Sequence, residues 1–144
     1  MTRVAIIEDS PTMRKALVEL IEGAPGHRCV CACATSQETQ LEVPKHQPDV
    51  ALMDIHLPDE SGIACTARLT HSIPELQVII LTVYKDMELI FQALKAGACG
   101  YILKRFRPEE ILPATKIKPD ANGTRLDMTY VIFSSQGLSC YALT

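Results

Sequence analysis

Two stretches of this chain, Val4-Ala5-Ile6-Ile7 and Val78-Ile79-Ile80-Leu81, are apolar at every position. A strand with one wet face alternates apolar and polar residues. A strand apolar throughout is buried on both faces, which requires covering layers on both sides of its sheet. The segments between such runs must therefore be helices packed on a parallel sheet.

The punctuation agrees. Ser10-Pro11 is a helix N-cap followed by proline at the first helical position, and Met13, Leu17, Leu20 and Ile21 recur at helical spacing up to Gly23. Cys29 to Ala34 reads as a second strand. Thr35-Ser36-Gln37-Glu38 is a capping-box pattern opening a second helix, which Pro44 should stop. Asp49 to Met53 is a third strand, Pro58 and Gly62 mark a loop, and Ile63 to about Leu69 is a third helix. After the Val78–Leu81 strand, Asp86 caps a fourth helix carrying Leu89, Ile90, Ala93 and Leu94, closed by Gly97. Gly100 to Leu103 is a fifth strand, and Pro108-Glu109-Glu110 starts a fifth helix. Strand-helix-strand crossovers are right-handed, so the default architecture is a doubly wound α/β sandwich.

Composition narrows the function. A chain of 144 residues, 47% hydrophobic, can bury a core as one domain and is not disordered. It has no apolar run long enough to span a membrane. A formal net charge of -3 argues against gripping nucleic acid phosphates. Met1-Thr2-Arg3 leads straight into a strand, so no signal peptide is expected, and the expected compartment is the reducing cytoplasm. Cys29, Cys31 and Cys33 alternate, so on a regular strand all three thiols share one face, as small apolar residues under a helix. No C-x-x-C occurs to suggest a metal site.

In doubly wound sheets, ligands bind at the carboxyl ends of the strands. Glu8 and Asp9 follow strand one, Asp54 strand three, Thr82 strand four and Lys104 strand five. The three carboxylates repel one another unless a cation is bound. A hard divalent ion such as Mg2+ prefers oxygen ligands and keeps waters that phosphate oxygens can replace. Asp54 is then placed to attack phosphorus and become an aspartyl phosphate, with Lys104 neutralising charge and Thr82 donating to a phosphoryl oxygen.

Residues 3 to 114 resemble the receiver domains of two-component response regulators. The resemblance rests on Ile7-Glu8-Asp9-Ser10-Pro11, on Leu52-Met53-Asp54 through Pro58-Asp59-Glu60-Ser61-Gly62, on Leu81-Thr82-Val83-Tyr84, and on Lys95-Ala96-Gly97 through Leu103-Lys104. Ala93 to Lys104 looks most like the NarL-type subgroup, whose members usually carry a LuxR-type helix-turn-helix output domain. The resemblance implies a flavodoxin-like five-stranded parallel sheet in the order 2-1-3-4-5 with helices on both faces. It implies Asp54 as phosphoacceptor, Asp9 and Asp54 as direct magnesium ligands, Glu8 acting through water, and the backbone carbonyl of His56 as a further ligand. Thr82 would be the switch hydroxyl, Tyr101 the aromatic coupled to it, and Lys104 a phosphoryl contact. His56 and Tyr84 would flank the site. Implied partners are a sensor histidine kinase or phosphotransfer protein, with a homodimer also a candidate. The surface that changes would be helix four, strand five and helix five.

The pattern breaks after Ala114. Pro113 and Pro119 should keep the fifth helix short, Asp120 to Gly123 reads as a turn, and Met128 to Phe133 as an extra strand. A helix-turn-helix domain needs on the order of 60 residues with a basic face. The tail from 115 to 144 has three basic and two acidic residues. The expected organisation is therefore a receiver at 1–114 with an atypical tail at 115–144, in a truncated regulator or a standalone receiver, with no direct nucleic-acid contact. Two other readings compete with the switch. An aspartyl-phosphate phosphohydrolase wants a second acid two residues after the nucleophile, where His56 stands. A non-phosphorylated pseudo-receiver would not need the complete acid, threonine and lysine set.

Overall fold

The computed structural model describes residues 1–82, 86–103, 129–134 and 137–142. The predicted fifth helix, Lys104 and Tyr84 lie outside the described residues. The elements run β1 (Thr2–Ile7), α1 (Pro11–Glu22), β2 (His27–Cys33), α2 (Ser36–His46), β3 (Val50–Asp54), α3 (Gly62–Ser72), β4 (Gln77–Thr82), α4 (Met87–Lys95), β5 (Gly100–Leu103), β6 (Thr129–Ser134) and β7 (Gly137–Ala142).

Strands β1 to β5 pair in parallel in the order 2-1-3-4-5, the arrangement expected of a flavodoxin-like sheet. The sheet then continues beyond the expected five strands. β6 pairs in parallel with β5, and β7 returns antiparallel on β6, giving seven strands in all. The unpaired edge of β5 accepts the apolar tail segment, and Ser134 opposite Gly137 closes a hairpin.

Continuous apolar strands divide their side chains between two cores. Ala5, Ile7, Ala51, Met53, Val78 and Ile80 face a core shared with Val43 of α2, Cys65 and Leu69 of α3, and Ile90 and Ala93 of α4. Val4, Ile6, Val50, Leu52, Ile79 and Leu81 face the other core, with Leu17 and Ile21 of α1. Helices thus cover both faces, and β3 and β4 are buried throughout.

Three expectations are corrected. The thiols of β2 do not share a face. Val4 pairs with Cys29 but Ala5 pairs with Cys31, so the register shifts by one residue at Val30. An extra residue resets the two-residue alternation. Cys29 packs with the α1-side core, whereas Cys31 and Cys33 belong to the α2-side core. Second, Pro44 does not stop α2, which continues to His46. So near a helix end, proline deprives only one carbonyl of its donor, and Gln47, at φ 47°, closes the helix through its N–H to the Val43 carbonyl. Third, α3 extends to Ser72, whose hydroxyl donates to the Arg68 carbonyl at 2.9 Å.

The predicted caps are present. Ser10 Oγ accepts from Met13 N–H at 3.3 Å, and Thr35 Oγ1 accepts from Glu38 N–H at 3.0 Å. The Glu38 carboxylate reaches Ala34 N–H at 3.2 Å, one residue before the cap. Asp86 caps α4 through Glu88 N–H at 2.9 Å. Gly97 follows α4 at φ +103°, and a side chain there would also meet Thr70 Oγ1 at 2.8 Å.

Candidate functional site

The order β1-β3-β4-β5 sets the carboxyl ends of four neighbouring strands side by side. Glu8 directly follows β1, and its N–H still bonds the Cys33 carbonyl at 2.9 Å, extending the ladder to β2. Arg14, in the first turn of α1, reaches back and donates to the Glu8 carbonyl at 2.8 Å and the Asp9 carbonyl at 3.4 Å. The acidic loop is thereby fixed to the helix that follows it. Nothing in the spacing singled out Arg14, although a basic residue early in a helix after an acidic pair is a readable signal.

Asp54 ends β3 and is buried, Glu8 is buried, and Asp9 is exposed. One ligand atom from each of the three lies within 4.8 Å of the others. Two buried carboxylates and an exposed one, all offering oxygen, fit a hard divalent cation. This acidic cluster could hold such a metal.

The loop after Asp54 is held at several points. His56 N–H donates to Asp54 Oδ1 at 3.2 Å, while the His56 side chain is exposed. Ile55 N–H bonds the Leu81 carbonyl at 3.3 Å, and Gly62 N–H bonds the Ile55 carbonyl at 2.7 Å. His56 and Ser61 form an isolated antiparallel bridge that closes the loop on itself. The loop is then clamped to α2. Asp59 Oδ1 accepts from Ser36 N–H at 2.9 Å and Oδ2 from Gln37 N–H at 2.9 Å. These are first-turn amides of α2, which need external acceptors. Their bonds hold the Asp59 carboxyl below its ordinary pKa. Glu60 accepts from Ser36 Oγ and pairs with Arg68 at 3.0 Å. Sequence reasoning missed Asp59 and Glu60, because a cap supplied from 23 residues away leaves no local pattern.

Thr82 ends β4, buried, opposite Leu103 of β5. Tyr101 sits opposite Ile80, in the same core as Ile90, Ala93 and Ala98 of the α4 region. Its hydroxyl is hydrogen-bonded to the Thr82 side chain. Burial raises the phenol pKa above 10.0, the Thr82 bond opposes the rise, and the Asp86 carboxylate adds to it. The ring is inside the fold: Tyr101 is 1% exposed. Glu8, Asp9, Asp54 and Thr82 are thus brought to neighbouring strand ends, with Tyr101 two residues before the end of β5.

The pattern described as the response regulator receiver domain matches residues 4–116. The oxygen regulatory protein NreC of Staphylococcus haemolyticus is 34% identical over 115 residues, 79% of this chain and 53% of that protein. The DNA-binding transcriptional activator DevR/DosR of Mycobacterium tuberculosis is 34% identical over 116 residues, 81% of this chain and 54% of that protein. Among solved structures, a LuxR-family two-component response regulator from Aurantimonas sp. superposes with a TM-score of 0.79 at 27% identity, covering 94% of this chain and 92% of that one. A CheY-like receiver domain protein from Methanospirillum hungatei gives 0.74 at 28% identity, covering 81% and 91%. The chain belongs to the response regulator receiver family, and is a receiver domain related to the NarL-type transcription regulators. It spans about half the length of the curated relatives it matches. Among the described residues, no helix is long and apolar enough to cross a membrane.

Proposed function

We propose that Asp54 accepts a phosphoryl group from a sensor histidine kinase or phosphotransfer protein, in a magnesium-dependent reaction that the chain itself assists. A carboxylate oxygen of Asp54 attacks phosphorus, and the bond from phosphorus to the donor histidine nitrogen breaks. Asp9, Asp54 and the backbone carbonyl of His56 would hold the magnesium ion directly, and Glu8 would act through water. When bound, the ion supplies positive charge against the phosphoryl oxygens. Lys104 contacts the same oxygens, and Thr82 donates its hydroxyl to one of them. Thr82 and Tyr101 then carry the change to the surface of α4, β5 and the segment after it, where a partner reads it. Residues 1–114 form this receiver, and residues 115–144 are a tail. Joined to an output domain, the receiver regulates transcription.

One observation carries this reading: ligand atoms of Glu8, Asp9 and Asp54 gather within 4.8 Å, at strand ends neighbouring that of Thr82. Incubation with Mg2+ and acetyl phosphate, followed by intact-mass measurement, tests it. The expected result is one added phosphoryl group, absent in Asp54→Asn. Labelling of folded Asp54→Asn at full stoichiometry would overturn the assignment.

A further inference from the structure

The register shift in β2 has separated one thiol from two others. Cys29 turns to the α1 side and its Sγ donates to the Cys31 carbonyl at 3.5 Å. Cys31 and Cys33 remain two residues apart on the strand, both on the α2 side. β2 is an edge strand, paired only with β1. Cys31 is partly exposed there, whereas Cys33 is buried. This face of the strand thus presents one partly exposed thiol and, two residues on, a buried one.

We propose that Cys31 and Cys33 form a two-thiolate binding site for a thiophilic ion of the trivalent arsenical class. Soft sulfur ligands select soft acceptors over Mg2+. Zinc would want four ligands. Among the described residues, the acidic cluster of Glu8, Asp9 and Asp54 is the one group of three or more His, Cys, Asp or Glu side chains close enough to share an ion. Among the described residues, the dithiol therefore offers two ligands. His27, the histidine nearest in sequence, has its Nδ1 against the Pro25 carbonyl at 3.1 Å. An arsenical that keeps one organic substituent needs only two thiolates to complete its coordination.

The neighbouring Cys33 thiol lowers the Cys31 pKa, while the Cys31 neighbour and burial together raise that of Cys33. Cys31 is then the first sulfur to attack. With a monosubstituted arsine oxide, two arsenic–sulfur bonds form and the arsenic–oxygen bond breaks. The oxygen leaves as water with both thiol protons, and no electron changes hands.

Phenylarsine oxide is the probe. Titration of the reduced chain, read by intact mass, should give one adduct. Peptide mapping should place it on the segment holding Cys31 and Cys33. Cys31→Ser should weaken binding at least tenfold, Cys33→Ser likewise, and Cys29→Ser should leave affinity unchanged. Circular dichroism checks folding; if Cys33→Ser does not fold, Cys31→Ser and the mapped wild-type adduct decide. No adduct, an adduct mapped to other cysteines, or undiminished binding by folded Cys31→Ser would overturn the site.

Discussion

A side-chain carbon on Gly62 would lie 1.9 Å from the carbonyl oxygen of Asp54 and 2.9 Å from Cα of Ile55. The start of α3 is thus in backbone contact with the end of β3, at the residue proposed to take the phosphoryl group. Both obstacles are main chain, so no side chain can rotate away. Gly62→Ala should lower stability by about 1–3 kcal/mol, the usual cost of forcing an atom into a packed site. It should also slow phosphorylation of Asp54, because a small displacement of a reacting group costs up to ~10²-fold in rate. Urea denaturation and acetyl phosphate labelling measure the two. An unchanged urea midpoint together with an unchanged labelling rate would contradict the contact.

The Asp59 clamp predicts a pH dependence. Bonds from Ser36 and Gln37 N–H lower the Asp59 pKa from its ordinary 3.8. A depressed carboxyl pKa contributes stability above the unfolded value, and that contribution is lost as pH falls through the folded value. Asp59→Ala should therefore be less stable than the parent at neutral pH, with the gap closing below about pH 3.8. The group is fully exposed, so the gap should be small and shrink with salt. Urea midpoints of both proteins at neutral and acid pH test this; a gap that persists at acid pH would point to lost packing instead.

The sheet was legible because its strands are buried on both faces. Val4–Ile7 and Val78–Leu81 leave no polar position at which another assignment could enter, and both lie inside observed strands. β2 was less legible. Its alternation is real in the sequence, but pairing with β1 inserts an extra residue, and that register is a property of two strands. Pro44 misled for a related reason: the cost of proline depends on how near the helix end lies, which Gln47 determines. β7 went unread because Gly137-Leu138-Ser139-Cys140 has no strong alternation, and its partner β6 supplies the pairing. At the site, strand-end acids could be placed by counting from each apolar run. Asp59 and Glu60 could not, since their partners are set by tertiary packing.

Metal binding should rank the acids. Asp9 is exposed and Glu8 is buried beside Asp54. With Asp9 as a direct ligand and Glu8 acting through water, Asp9→Ala should weaken Mg2+ binding more than Glu8→Ala. Indirect groups still matter, typically ~10–100-fold in affinity. Mg2+ should also raise the melting temperature of the parent by mass action, and chelation should reverse it. Equal affinities for the two variants would refute the ranking.

Tyr101 predicts an alkaline signature. Its phenol pKa is raised above 10.0, first by burial. A raised folded pKa contributes stability that is present below the unfolded value and lost as pH rises through the folded one. Absorbance titration should show one tyrosine ionising late in the parent, and Tyr101→Phe should remove that step. An unchanged titration curve would place the late group elsewhere.

The bond between Tyr101 and Thr82 fixes how the switch can work. The ring is buried in the core it shares with Ile90 and Ala93 of α4. A ligand shifts an equilibrium only by its differential affinity for two states. If the Thr82 hydroxyl turns toward the phosphoryl oxygens, the bond that ties it to Tyr101 is altered, and with it the packing against Ile90 and Ala93 of α4. Thr82→Ala should remove that tie and cost about 1–3 kcal/mol by depriving a buried hydroxyl of its partner. It should still accept phosphate at Asp54, because the carboxylate cluster is intact. Hydrogen exchange over Met87–Lys95 should change on phosphorylation of the parent and change little in the phosphorylated variant. An equal response in both would mean that the signal reaches α4 by another route.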